Sequence, residues 1–256
     1  MRKLMLSTST FYLHADQLAE EVESLSRAGV DSFHVDLMDG CFVQNLGMSF
    51  QDLDAVRRHT DRLVDVHMMV RAPGRYIQQI AEHGADIIII HPEADDHPAA
   101  TLELIRKQGC KSGIAVNPGT SLGAVEELFQ LSDYVILMTV NPGFAGQTYL
   151  EYVESKIIRC AAMQELHDFM LMVDGGVTWR ALERLIPYGV RGFVCGNQVL
   201  LEQRQTYQEI IKSASSGCQP ARRCSCAGKS SRNMRIRPAF APWFEFSCTL
   251  SAYSRT

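Results

Sequence analysis

The 256-residue chain reads as an α/β protein closed into a (β/α)8 barrel. Three observations predict this. Eight short apolar runs suited to strands alternate with helical patterns at fairly regular intervals. The strand runs are almost continuously apolar, as they must be when both faces of a parallel sheet are covered. The alternative, an open doubly wound sheet, calls for a Gly-rich fingerprint after the first strand, and none follows LMLSTS.

The first strand is LMLSTS (4–9). The two basic residues before it do not make a secretory signal, because the apolar stretch is broken by Ser and Thr and soon meets His14 and Asp16. Helical ADQLAEEVESLSRAG (15–29) ends on Gly29, a natural helix stop. Strands DSFHVDLM (31–38) and RLVDVHMM (62–69) come next, then helical PGRYIQQIAEHG (73–84). Strand DIIIIH (86–91), helix PAATLELIRKQG (98–109) and strand KSGIAV (111–116) continue the alternation. Helical SLGAVEELFQ (121–130) precedes strand DYVILMTV (133–140), and FMLMVD (169–174) is the seventh strand. Helix WRALERLIPYG (179–189) and strand RGFVC (191–195) complete the eight units.

Composition excludes little and favours the ordinary. A mildly acidic globular chain calls for neither nucleic acid nor membrane as a partner, and no apolar run is long enough to span a bilayer. Cys41, Cys110, Cys160 and Cys195 lie singly without framework spacing, which fits reduced thiols in a cytoplasmic protein. Residues 1–213 form the expected barrel domain. Residues 214–256 change composition abruptly: from Gly217 onward there are six Arg, one Lys and a single acid, Glu245. Cys224-Ser225-Cys226 lacks zinc-ribbon spacing. This basic, Ser- and Cys-rich tail reads as a disordered extension, with contact to an anionic partner or an out-of-frame terminus as the alternatives.

Polar residues gather in one place. Ser9, His34, Asp36, His67, His91, Asn117, Asn141 and Asp174 all fall at or near C-terminal strand ends, the face that carries active sites in this architecture. Within FHVDLMDG, His34 and Asp36 are two apart and share a face of their strand. Burying them there is costly unless something pairs with them. His34, Asp36, His67 and Asp174 come from three strands and suit a divalent cation such as zinc, iron, manganese or cobalt. A hydrogen-bonded polar cluster is the other reading. Asp36 and Asp174 could equally be an acid/base pair. Met38, Met69 and Met138 stand beside these residues, either as core filling or as a wall that excludes water. Gly-bearing turns at Gly143-Phe144-Ala145-Gly146, Gly175-Gly176 and Gly196-Asn197 could cradle a phosphate through backbone N–H groups.

HVDLMDG, DVHMMV (65–70), NPGTSL (117–122), MTVNPGFAGQ (138–147) and VDGGV (173–177) resemble the motifs of the ribulose-phosphate 3-epimerase family, in order, from about Leu4 to about Ser213. The resemblance implies a TIM barrel of the ribulose-phosphate-binding type and an isomerase of the pentose phosphate pathway. It implies a metal held by His34, Asp36, His67 and Asp174, with Asp36 and Asp174 exchanging protons on opposite faces of C3 through an enediolate. Ser9 and His67 would lie near the substrate, the three methionines would shield the intermediate, and the Gly turns would hold the phosphate. The implied reaction interconverts D-ribulose 5-phosphate and D-xylulose 5-phosphate, in a homo-oligomer. The alternative substrate is D-allulose 6-phosphate, suggested by His91-Pro92-Glu93 and Phe144-Ala145-Gly146. A phosphosugar-binding protein without turnover is the non-enzyme alternative. A decarboxylase or synthase on a similar barrel commonly needs a lysine among the strand-end acids, and HVDLMDG has none. Gln44 replaces the usual Pro of FVPN, which predicts a looser loop over the substrate; Ala145 and Asn197 replace a Gly and a Ser without removing a backbone donor.

Overall fold

In the computed structural model, residues 4–196 are described, together with Val199 and Glu209. The tail at 214–256 and the candidate residue Asn197 lie outside the described residues.

Eight strands form one closed parallel barrel in chain order: β1 (Met5–Ser9), β2 (Ser32–Met38), β3 (Leu63–Met69), β4 (Ile87–Ile90), β5 (Lys111–Val116), β6 (Tyr134–Met138), β7 (Met170–Asp174) and β8 (Gly192–Cys195). Strand β1 closes the ring by pairing with β8, Met5 opposite Gly192 and Thr8 opposite Cys195. Each expected strand is present, with ends shifted by no more than two residues.

The helices are α1 (Leu18–Ala28), α2 (Phe50–Arg58), α3 (Ile77–Glu82), α4 (Pro98–Lys107), α5 (Glu154–Met163) and α6 (Trp179–Leu185). Helix α1 stops where the sequence indicates. Gly29 adopts φ 98°, and its N–H donates to the carbonyls of Leu25 and Ser26. Helix α2 begins at a capping box in which Ser49 and Asp52 exchange side-chain and backbone hydrogen bonds.

One expected helix differs. Residues 121–130 fold as two 3-10 segments, Leu122–Ala124 and Glu126–Leu131, broken at Val125. Gly123 and β-branched Val125 are both poor α-helix residues, and tertiary burial of Leu122, Val125 and Phe129 fixes the tighter winding instead.

Strand alternation sorts the core into two layers. Leu6, Phe33, Val35, Val64, Val66, Ile88 and Phe193 point outward beneath the helices. Met5, Ile87, Ile89, Ala115, Ile136, Met172 and Val194 fill the barrel interior. Each such Val, Leu, Ile, Phe or Met side chain stabilises the fold by about 1.5–3 kcal/mol relative to exposure. The apolar interior leaves no channel, so chemistry can be staged only above it, at the C-terminal strand ends.

Candidate active site

The β2–β3 register builds the centre of the site. His34 pairs with Asp65, and Asp36 with His67. Two strands reading HVD and DVH therefore lie side by side, and their inward side chains make a block of four polar groups. All four are buried. Asp174 reaches the same point from the end of β7.

The contacts are close. His34 Nε2 lies 3.2 Å from His67 Nδ1, 3.4 Å from Asp36 Oδ1 and 3.7 Å from Asp174 Oδ2. His67 Nδ1 lies 3.3 Å from Asp36 Oδ1 and 3.6 Å from Asp174 Oδ2. One donor atom from each of the four lies within 4.8 Å of every other. Bonds of about 2.0–2.1 Å to one tetrahedral ion set their donors about 3.3 Å apart. The donor set and its spacing fit a divalent cation.

The groups behind the donors also fit. The second ring nitrogen of His34, Nδ1, is hydrogen-bonded to Asp65, whose other oxygen accepts from Ser7 Oγ at 2.7 Å. A carboxylate behind a ligating imidazole fixes its tautomer and raises its basicity. Ser9 Oγ donates to Asp36 Oδ2 at 3.0 Å. Asp65 escaped the sequence analysis, although its place two residues before His67 is the same i, i+2 signal that marked His34 and Asp36.

Charge is concentrated here. Burial alone would push His34 down, but the Asp36 and Asp65 carboxylates outweigh it and hold its pKa well above the ordinary value. Burial works against ionisation of Asp36 too, yet His34 and His67 hold its carboxyl far below the usual range. Asp174 goes the other way: burial, reinforced by the Asp36 charge, raises it. Two carboxyls driven apart in this manner suit opposite halves of a proton transfer.

A cavity of about 230 Å³ opens above the cluster. Asp36, Asp174 and Ser9 form its floor beside Met38, Met69 and Met138; Gly143, Phe144, Ala145, Gly146, Gly175, Gly176 and Gly196 form the far wall. Among the strand-end polar residues Ser9, Asp36 and Asp174 thus border the cavity, His34 and His67 are fully buried beneath it, and His91, Asn117 and Asn141 do not line it. Gly175 and Gly176 adopt φ 110° and 59°; a Cβ on Gly176 would stand 2.8 Å from the Gln147 carbonyl oxygen. The turn is closed to side chains, and backbone alone faces the cavity there.

The segment after β2 packs against the turn at Gly143. Asn45 Nδ2 donates to the Gly143 carbonyl at 2.6 Å, Leu46 bridges back to Asp39, and Val43 is buried against Met38 and Met69. Gln44 itself is exposed and takes no part in this anchoring. His91 lies behind His67 and contacts Glu93, and neither His91 nor Glu93 lines the cavity. Among the described residues no helix is long and apolar enough to cross a membrane.

Comparison with known proteins agrees with this geometry. The sequence matches the ribulose-phosphate 3 epimerase family over residues 5–200. It is 38% identical over 200 residues to the ribulose-phosphate 3-epimerase of Bacillus subtilis, covering 76% of this chain and 92% of that protein. It is 36% identical over 187 residues to the ribulose-phosphate 3-epimerase of Aquifex aeolicus, covering 71% and 83%. The crystal structure of KGPDC from Streptococcus mutans superposes with TM-score 0.64 at 13% identity over 84% of this chain and 98% of that one, which shows a shared fold. With the motifs, the barrel and the matched span in agreement, the chain belongs to the ribulose-phosphate 3-epimerase family.

Proposed function

We propose that the protein is a metal-dependent isomerase that interconverts D-ribulose 5-phosphate and D-xylulose 5-phosphate by two-base proton transfer at C3, within the pentose phosphate pathway of the cytoplasm. The observation that carries this reading is the convergence of His34, Asp36, His67 and Asp174 on one point at the floor of a cavity, with both carboxyls facing that cavity.

His34 Nε2, His67 Nδ1, Asp36 and Asp174 would hold zinc, iron, manganese or cobalt. The cation, when bound, supplies positive charge against the enediolate oxygens. The protein's own groups do the rest. Asp36 and Asp174 would face opposite sides of C3, one taking its proton and the other returning one to the opposite face; the pair exchanges roles in the reverse direction. Ser9 fixes the Asp36 carboxyl by donating to its outer oxygen. Met38, Met69 and Met138 present soft, apolar thioethers that keep water from the carbanion-like carbon. Backbone N–H groups of the turns at Gly143–Gly146, Gly175–Gly176 and Gly196–Asn197 would bind the phosphate, leaving C3 over the carboxyls.

Solvent deuterium incorporation at C3 of D-ribulose 5-phosphate tests the reading. Metal-replete enzyme should exchange the C3 proton and form D-xylulose 5-phosphate, and chelation should stop both. D-Allulose 6-phosphate, offered in the same assay, should react more slowly. Undiminished exchange in fully chelated protein would remove the metal from the mechanism.

A further inference from the structure

The two imidazoles of the cluster are backed differently. Asp65 supports His34, whereas His67 has no carboxylate partner at its second nitrogen among the described contacts. Its Nε2 instead meets Nε2 of His91 at 2.9 Å, the two rings stacking with centroids 5.0 Å apart. Resting on the metal-site reading above, we propose that His91 and Glu93 form a positioning pair that dictates which nitrogen of His67 carries the proton, and so keeps its Nδ1 lone pair turned toward the cation.

The proton assignment follows step by step. His67 Nδ1 is the atom that faces His34, Asp36 and Asp174. A nitrogen that ligates a metal must be unprotonated, so the His67 proton sits on Nε2. In the Nε2–Nε2 contact His67 is then the donor and His91 the acceptor. A neutral His91 that accepts at Nε2 carries its own proton on Nδ1. That nitrogen faces Glu93 Oε2 at 3.5 Å.

His91 Nδ1 and Glu93 Oε2 are both buried and neither makes a hydrogen bond among the described residues; the ion-pair contact between them is the nearest partnership either has. Each is the group the other needs. Glu93 is itself pinned: its second oxygen accepts from the Asn117 N–H at 2.9 Å and from Thr120 Oγ1 at 2.6 Å. Two donors on one oxygen favour the ionised carboxylate, so the open Oε2 is the acceptor for His91. The order Glu93, His91, His67 therefore reads in one direction and ends on a lone pair at the cluster.

Phe42 covers the other side of His91, ring centroids 4.8 Å apart. His91 could thus be a packing residue and nothing more. Two variants separate the roles. His91→Phe keeps an aromatic ring between Phe42 and His67 but leaves the His67 Nε2–H without an acceptor. His91→Gln gives up the ring and restores an acceptor oxygen.

Cobalt(II) affinity of the full chain, measured by chelator competition and by the visible ligand-field spectrum, should fall about 10- to 100-fold in His91→Phe. It should recover to within severalfold of the unaltered protein in His91→Gln. Equal affinity in His91→Phe and unaltered protein, or a Gln variant no better than the Phe variant, overturns the proposal. Nitrogen-15 imidazole shifts of the unaltered zinc-loaded protein supply a check that needs no variant. His67 should show a protonated Nε2 and a metal-shifted Nδ1, and the reverse assignment overturns the proposal. Failure of the unaltered chain to bind cobalt or zinc would overturn the underlying site reading as well, an outcome distinct from binding that ignores residue 91.

Discussion

On the β2–β3 side of the barrel mouth, His34, Asp36, Asp65 and His67 are packed side by side and buried, each touching at least one of the others. On the β6–β8 side, Asp174 is the lone candidate acid, and the wall beside it is made of glycine turns. The first region works through side chains whose positions are fixed by strand register. The second works through backbone, where side chains would obstruct. Both contribute to one cavity because a phosphate and a reacting carbon, held apart in the same small molecule, need opposite kinds of surface. Asp174 joins them: its carboxyl belongs to the charged cluster, and its carbonyl, with that of Gly175, accepts from Thr139 Oγ1 and anchors the glycine turn.

The sharpest way to break this division is at the residue that spans it. Asp174→Asn preserves the shape of the glycine wall but removes one proton carrier. C3 deuterium exchange should fall by at least about 10³-fold, in the range of general acid–base contributions. Inorganic phosphate should still compete at close to its original concentration. Near-normal exchange in this variant would remove Asp174 from the chemistry.

Gly176→Ala attacks the backbone side instead. Its φ of 59° and the Gln147 oxygen 2.8 Å from the new Cβ, with the Tyr149 nitrogen at 2.9 Å, leave no slack. Strain and displacement together should cost about 2–3 kcal/mol, lowering Tm by roughly 5–10 °C in a domain this size. KM for the ketose phosphate should rise at least about tenfold, while cobalt affinity, which belongs to the other side, stays within about twofold. Loss of metal affinity on the same scale as KM would show that the two sides are not separable.

How legible these regions were in the sequence also differs. The strands stood out because a parallel barrel buries both faces and leaves almost unbroken apolar runs, and the glycine turns stood out because few residues tolerate φ > 0. His34 and Asp36 were visible as a pair two apart. Asp65 was not, because its meaning depends on pairing with His34 across 31 residues, and register is a property of two strands together. His91 and Glu93 were visible as a motif, but their position behind His67 was not, since one-dimensional spacing carries no depth. Only the coordinates place them beneath His67. The 3-10 winding around Val125 was hidden for a similar reason, because the apolar spacing of Leu122, Val125 and Phe129 satisfies an α-helix as well.

A smaller effect tests the tie between Asn45 and Gly143. Asn45→Ala removes the hydrogen bond to the Gly143 carbonyl, a link between the segment after β2 and the glycine wall. One such bond contributes about 1 kcal/mol net, so KM should rise about fivefold with kcat and metal affinity nearly unchanged. A fall in kcat that exceeds the rise in KM would mean that the segment orders the reacting groups and not only the bound phosphate.

The least effect is expected from removing residues 214–256. The family match ends at residue 200, and the barrel closes at β8, Gly192–Cys195, with each described donor and wall residue already in place. Every described residue of the charged side and of the glycine side lies at or before Gly196. Truncation after Ser213 should therefore leave turnover and cobalt affinity within about twofold, measured on purified protein at equal metal loading. A drop confined to KM would implicate the tail's six arginines in capturing the anionic substrate, which electrostatic steering permits at low salt and suppresses as ionic strength rises. Repeating the measurement at high salt decides that case: a steering contribution disappears there, whereas a packing contribution persists.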